Sequence, residues 1–490
     1  MRRPLMRNLV IGVACGVVTM VLVFLGVQLI TGTGIFKKPG EVYFSESVTE
    51  AEQQLFLEAF AAEDVELEKD VYFDAYETLD ISNLAANEIV MEIMVPTGDF
   101  YGPERDIILE GVMDEYLKAS GTTLVSAREL DFTRRVWTIN GEYYPETLAK
   151  GAIFRVIKID SENYEADVAP NLAKMTLPTW PSKDTVLSFV QTGVTALSRG
   201  MNKKLWDEGG AYYFSEKIAP YLSQFDLTHT SNEASFSEDA SARNICSDPE
   251  FINTLTAIGL DIVELTGNHN QDCGDAAARD TIDIYAKKNI AIVGGGKTAE
   301  AAAEPLEINQ KNTHITMLAY NESTGGATLD ATPGANQYDE ADAAAEIAEA
   351  KKRGDFVIVD VQYYECSMYV SETEDTTCDA ADSAAGDQVG FFRHLIDLGA
   401  DVVVGTSAHQ PQTYELYGEG VIYYGLGNLF FDQVWWPGTT RSLTLAHYFY
   451  NGRLVQTRLM PTEYDENMQT ALMDAEKAAW YLDRLVQARP

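Results

Sequence analysis

At 490 residues the chain is too long for one hydrophobic core, and 46% hydrophobic with 10% aromatic residues excludes a disordered polymer. Its 75 acidic against 36 basic residues give a formal net charge of −39. That surplus excludes nucleic acid and anionic lipid headgroups as partners of the soluble part.

The first seven residues, MRRPLMR, hold Arg2, Arg3 and Arg7, and Leu9–Ile30 then runs without a charge. A stretch of about 22 residues spans roughly 33 Å as a helix, enough to cross a hydrocarbon core. The arginines precede it, so the expected topology is single-pass in the cell membrane, with a cytoplasmic N-terminus and the bulk outside. A cleaved signal peptide is the alternative, because Gly32 and Gly34 follow. Cys15 falls in the span and leaves Cys246, Cys273, Cys366 and Cys378 outside it. An even number of cysteines outside the cytoplasm points to two disulfides, with 246–273 and 366–378 closing the shortest loops. No CxxC spacing supports the rival zinc reading.

After a short linker, Thr49–Ala62 has helical periodicity with Glu50 and Glu52 in its first turn. Ala86–Pro96 reads as a strand, Glu110–Ser120 as a helix, Thr122–Ser126 as a strand, and Asn140-Gly141 as a hairpin turn. These elements make a smaller α/β domain over 43–175 that carries no chemical motif. Leu177–Lys183 (LPTWPSK) is the expected hinge. Beyond it strands and helices alternate. Strands are expected at Thr185–Gln191, Leu260–Leu265, Ile290–Val293, Phe356–Val361, Val402–Val404, Val421–Tyr424 and Ser442–Phe449. Helices are expected at Asp248–Ile258, Ala276–Lys288, Ala341–Arg353 and Val389–Leu398, with another over 466–490. Unbroken apolar strands between helices indicate sheets covered on their outer faces.

Chemistry-bearing residues gather just after strands. Thr266-Gly267-Asn268-His269-Asn270 follows DIVEL directly. The Asn268 amide oxygen suits a metal ligand, and the neighbouring imidazole can stabilise or protonate a leaving oxygen. A plain turn uses the same residues. Gly294-Gly295-Gly296 lacks the Lys-Ser/Thr of a P-loop and reads as a tight turn. Tyr363, Tyr364, Trp435 and Trp436 suit stacking on a polymer or packing in a core. His229 and His394 match no pattern and read as core or surface residues.

In order along the chain come FDLTHTSNE, LTGNHNQDCG, IAIVGGG, FVIVDVQYYEC, GADVVVGTSAHQPQ and VIYYGLGNLFFD. This series resembles the CapA (poly-γ-glutamate capsule biosynthesis) family over about 185–435. The resemblance implies a calcineurin-like metallophosphoesterase fold, in which two divalent ions sit between Asp, Asn and His ligands. That is a four-layer αββα double-sheet sandwich over 184–465, preceded here by the smaller α/β domain and the anchor of residues 1–35. Carried over position by position, it assigns Asn232, Glu233, Asn268 and Gln362 to a metal shell. His269 and His409 become the catalytic histidines, and Ser407 and Glu415 binding residues. The chain departs from the family at three places. Val194 stands where a Gly-Asp carboxylate belongs, and Gln362 and Ser407 stand where histidines belong. Neutral oxygen donors suit at most one weakly held divalent ion, Mn, Mg, Zn or Ca.

The resulting expectation is a membrane-anchored extracytoplasmic protein acting in the biosynthesis, export or retention of an anionic surface polymer of the poly-γ-glutamate type, alone or with a polymer-synthesis complex. The alternatives are a metal-dependent phosphoester hydrolase and a catalytically inactive ligand-binding scaffold.

Overall fold

A computed structural model describes residues 41–61, 67, 69–78, 84–103, 105–107, 122–148, 152–162, 164–169, 179–208, 210–322, 326, 332–363, 387–435 and 438–490. By packing the chain divides into two compact units. One holds the chain through Met91 and Arg155–Pro178, and the other holds Glu92–Phe154 and Thr179–Pro490. Residues 92–154, grouped by the sequence with the small domain, thus pack in the larger unit.

In the first unit, helix Glu50–Ala61 starts where a capping box dictates. Thr49 N donates to the Glu52 carboxylate at 2.8 Å and Glu52 N donates back to Thr49 Oγ1 at 3.3 Å. The helix buries Phe56 in a core with Val71, Phe73, Met91, Ile157 and Ile159. Arg155 reaches both Glu52, at 2.6 Å, and Glu77, at 2.8 Å. Among the described residues no helix is long and apolar enough to cross a membrane. The expected span 9–30, the helix 110–120 and Cys366 and Cys378 lie outside those residues.

The second unit is mixed α/β and is built on two large sheets. The strand order of the first is Ala291–Val293, Ile262–Glu264, Leu227–Asn232, Leu187–Thr195, Arg441–Tyr450, Arg453–Tyr464, Thr470–Leu472, with Asn428–Phe430 also pairing with Leu187–Thr195. That of the second is Leu306–Gln310, Thr313–Asn321, Phe356–Gln362, Val402–Gly405, Gly420–Tyr423, Tyr414–Tyr417. Side chains alternate across each strand, and three apolar clusters follow from that alternation. Val190, Val263 and Ala446 pack on the outer face of the first sheet with Phe214, Leu255 and Tyr285 of the helical segments. Val357, Val359 and Val403 pack on the outer face of the second with Ile347 and Phe392 from helices Glu340–Arg353 and Gln388–Asp397. Between them lie Phe189, Ile262, Ile358, Val404 and Leu445, contributed by both sheets. The layers are therefore helix, sheet, sheet, helix.

Local signals place several of these elements. Asp339 caps helix Glu340–Arg353, accepting from Ala341 N and Asp342 N, and Gly354 closes it with a left-handed φ of 86°. Asn140-Gly141 forms the expected turn, both residues having positive φ, with Ile139 and Glu142 hydrogen-bonded to each other. Cys246 is disulfide-bonded to Cys273, as the sequence predicts. The bond fastens the start of helix Gly274–Lys287 to the loop before residue 248. A crosslink over 27 residues restricts the unfolded chain by about 3 kcal/mol. Replacing both cysteines with serine should therefore lower the stability measured by urea unfolding by about that amount. Unchanged stability in the double variant would show that the bond carries no constraint.

Candidate functional site

The second sheet delivers Gln362 at the end of a strand in register with Asn321. Beside it, Thr406 N donates to Val361 O at 2.9 Å, which carries the next strand's exit, and Ser407, to the same edge. On the first sheet Val194 pairs with Ser231 on one side and Asn428 on the other. Gly193 permits this crossing, because a Cβ there would stand 2.0 Å from Gly427 O. Val194 is fully buried.

Three of the residues picked from sequence touch. Gln362 Nε2 donates to Ser407 Oγ at 3.0 Å and to Asn268 Oδ1 at 3.3 Å. The turn bearing Asn268 is tied to the second sheet by Asn321 Nδ2, which donates to Thr266 O at 2.7 Å. It also lies against Glu233, since a Cβ on Gly267 would meet Glu233 Cα at 2.7 Å. His269 follows on the same turn, with Nδ1 2.8 Å from Asp272 Oδ2 and its side chain 28% exposed. His409 Nδ1 lies 2.9 Å from Asn428 Oδ1, which brings it to the neighbour of Val194. Phe431 stacks near the His409 ring, with centroids 5.1 Å apart, and Arg199 lies over the same phenyl ring while pairing with Asp432.

Two predicted residues are engaged elsewhere. Asn232 Oδ1 accepts from Thr195 Oγ1 at 3.1 Å and its Nδ2 donates to Ala234 O at 2.9 Å, so its amide shapes the turn before Glu233. Glu415 accepts two hydrogen bonds from Arg393, at 2.7 and 2.8 Å, and one from Tyr424 Oη at 2.5 Å. Burial works against its charge, yet Arg393 and Tyr424 hold its carboxyl below the usual range. That makes it an anchor for helix Gln388–Asp397 and not a companion of Gln362. Sequence reasoning passed over Asp272 and Asn428. Asp272 was within reach, because it begins the Asp-x-Gly that follows the Asn-His pair.

Beneath the strand ends, the layer between the sheets turns from apolar to polar. His229 Nε2 of the first sheet lies 3.1 Å from Asp360 Oδ2 of the second, and both side chains are fully buried. The two are close enough to attract but are not aligned as a hydrogen bond. Gln191 Nε2 donates to Asp360 Oδ1 at 2.5 Å. Glu264, one strand away, accepts from Thr266 N and Oγ1. Burial, and then the nearby charge of Asp360, push the Glu264 carboxyl up. His447 accepts from or donates to Thr457 Oγ1 at 2.9 Å, and burial, aided by His229, lowers its imidazole to about 3.

A model of the family described as "Bacterial capsule synthesis protein PGA_cap" matches residues 188–433, half of the chain, from before Val194 to beyond Asp432. The chain belongs to this family. It is 26% identical over 278 residues to the PGA biosynthesis protein CapA of Bacillus subtilis, covering 55% of this chain and 70% of that one. It is 22% identical over 283 residues to the capsule biosynthesis protein CapA of Bacillus anthracis, covering 55% and 66%. A probable polyglutamine synthesis accessory protein of Mycobacterium tuberculosis is 28% identical over 265 residues, covering 49% and 65%. The chain thus spans about two thirds of the length of these relatives.

The residues present do not fit the two-ion centre that the metallophosphoesterase resemblance implies. Val194 offers no donor, and Gln362, Asn268 and Ser407 are neutral groups hydrogen-bonded to one another. Among the described residues no three His, Cys, Asp or Glu side chains are grouped as a metal shell. Little charge is available there to hold two divalent ions.

The polar layer beneath the site gives stability a pH dependence. Glu264 is raised in the folded chain, so stability is complete below about pH 4, where the unfolded chain also keeps the proton. It falls as pH rises, because the unfolded carboxyl ionises first. Glu264→Gln should therefore be more stable than the parent at neutral pH, and the two should converge below about pH 4. His447 is lowered, so its contribution is present above pH 6.5 and lost as pH falls toward about 3. His447→Gln should flatten that acid limb. Parallel stability–pH curves for parent and variants would contradict both assignments.

Proposed function

We propose that this chain acts outside the cytoplasmic membrane, held by the helix expected at residues 9–30, in making, exporting or retaining an anionic polymer of the poly-γ-glutamate type. It does so by binding at the strand-end site and not by two-metal hydrolysis. The observation that carries this reading is the contact of Gln362 with Asn268 and Ser407 inside a family-matched region. The chemistry of the site is that of a cluster of amide and hydroxyl groups. The two facing sheets with helices outside agree with that fold class. The names of the Bacillus and Mycobacterium relatives support a role in polymer synthesis.

Amide and hydroxyl groups recognise the amide backbone of a peptide-like polymer through matched donors and acceptors. His269, oriented by Asp272, and His409, held by Asn428, supply imidazoles that face carboxylates favourably when protonated. The His269–Asp272 pair also favours a second reading, hydrolysis, because a carboxylate-oriented imidazole is a general acid–base unit. In that reading Glu233 and Asn268 would hold a single weakly bound hard cation.

Two measurements separate the readings. Purified chain should retain at most one divalent ion after dialysis. The triple variant Val194→Asp, Gln362→His, Ser407→His should bind Mn or Zn more tightly than the parent. In producing cells, Asn268→Ala with Gln362→Ala should reduce surface-associated glutamate polymer toward the level of cells lacking the protein. Undiminished polymer in those cells would defeat the binding role. Two tightly held ions with phosphodiesterase activity lost in His269→Ala would establish the hydrolase.

A further inference from the structure

Helix Ala475–Gln487 packs Tyr481, Leu482 and Leu485 into the apolar layer between the two sheets, and Thr413 Oγ1 donates to Leu485 O at 2.5 Å. Its opposite side turns Trp480 to solvent, 41% exposed. An exposed tryptophan alone needs no explanation, but this one stands among cations. Arg484, one helical turn on, has its guanidinium carbon 5.3 Å from the centre of the indole ring. Arg441, at the start of strand Arg441–Tyr450, lies 5.5 Å from the same ring and 5.2 Å from that of Tyr481. Both arginines are partly exposed.

The charge around the indole is arranged by side. Glu463 stands opposite Arg441 in register and pairs with Lys477, so the carboxylate set into the patch is matched by a lysine. Glu476 and Asp483 fall by helical spacing on the other flank of Trp480. In a chain of formal net charge −39, most of the surface repels an anion, and this flank is a place where one can rest. The patch also lies at the site end of the molecule. Leu445 pairs with Gln191, so Arg441, four residues earlier on an antiparallel strand, stands at the end of the sheet to which Leu187–Thr195 delivers Val194. Asn428, which holds His409, donates to Thr439 O at 3.1 Å, and Arg441 N donates to Gly438 O at 3.1 Å.

We propose that Arg441, Trp480 and Arg484 form a second contact for an extended acidic polyamide, beside the strand-end site. The inference rests on the reading of this chain as a binder of an anionic polymer, and adds where a further segment of that polymer is held. A guanidinium packed on an aromatic ring is already restrained, and its planar fork donates to a carboxylate through two parallel bonds. Two such cations beside one flat apolar ring match a chain with carboxylates on successive residues and methylene groups between them. A lone carboxylate would engage one guanidinium and leave the indole unused. A nucleic acid carries phosphate charge along its whole length and would meet the surrounding acidic surface.

Titration calorimetry of the purified full chain with a γ-linked glutamate oligomer tests this. The double variant Arg441→Gln, Arg484→Gln should bind the oligomer about tenfold or more weakly than the parent, and with a shallower dependence on salt. Arg441→Lys with Arg484→Lys should recover part of the loss, which a merely structural role for the arginines would not produce. Without any substitution, bound oligomer should shield Arg441 and Arg484 of the parent from phenylglyoxal, as read by mass spectrometry. Modification of both arginines in the saturated complex overturns the proposal, and so does parent-like affinity in the glutamine variant. Asn268→Ala with Gln362→Ala separates the two contacts. Affinity lost in both pairs supports two-point binding. Affinity lost only in the amide pair leaves the strand-end site standing and removes this patch, and affinity lost only in the arginine pair does the reverse. If the parent binds no oligomer, this patch falls, while the cellular polymer assay still decides the strand-end reading.

Discussion

The contact between His229 and Asp360 is the constraint on which the larger unit depends. Each side chain comes from a different sheet, each is fully buried, and the two approach to 3.1 Å across the layer between the sheets. The pair marks one level of the sandwich at which polar groups of the two sheets meet. Toward the strand starts the layer is apolar, with Phe189 and Ile358 filling the space. Gln191 and Ile262 stand in register with His229 itself, and Glu264 and Gln362 carry the polar side on toward the strand ends. The site therefore lies at the strand-end side of a polar layer, and its position follows from where the apolar packing stops.

Main-chain pairing and amide hydrogen bonds hold the site residues in place. Backbone registers bring Val194, Ser231 and Asn428 side by side, and Gln362 beside Asn321. Asn321 then grips the turn that carries Asn268. All of these positions are held by main-chain pairing and amide hydrogen bonds, none of which requires a cation. Loss of the carboxylate at Val194 and of two imidazoles thus changes what the cleft can hold while leaving its walls standing.

Much of the fold was legible because strong local signals coincided with long elements. Helix Glu340–Arg353 has an aspartate cap, acidic first turn, basic last turn and closing glycine, and its expected bounds were within a residue of those observed. Strand Phe356–Gln362 is an unbroken apolar run apart from Asp360 and the terminal Gln362. The hairpin of Leu306–Gln310 and Thr313–Asn321 was missed because Lys311 and Asn312, both with positive φ, contain no glycine to announce the turn. Strand Arg453–Tyr464 was missed despite Asn451-Gly452, a signal of the same kind that was recognised at Asn140-Gly141. In the site, Asn268, Gln362 and Ser407 were legible through family resemblance. His229 was not, since a histidine inside TSN-type polar sequence gives no hint that its partner lies 131 positions later, as Asp360. Glu415 fits a pattern in sequence, but its partner Arg393 lies on a helix whose orientation only the fold reveals.

One topological feature has a bearing on how the protein is made. Leu187–Thr195, the first strand of the sandwich, pairs on one side with Leu227–Asn232 and on the other with Arg441–Tyr450. A ribosome must therefore synthesise most of the chain before the second edge of that strand finds its neighbour, and until then the strand offers unpaired amides to any passing peptide. Contacts so distant along the chain also close slowly. For a growing polypeptide the strand order thus leaves that edge open to mispairing until the last third of the sandwich has been made.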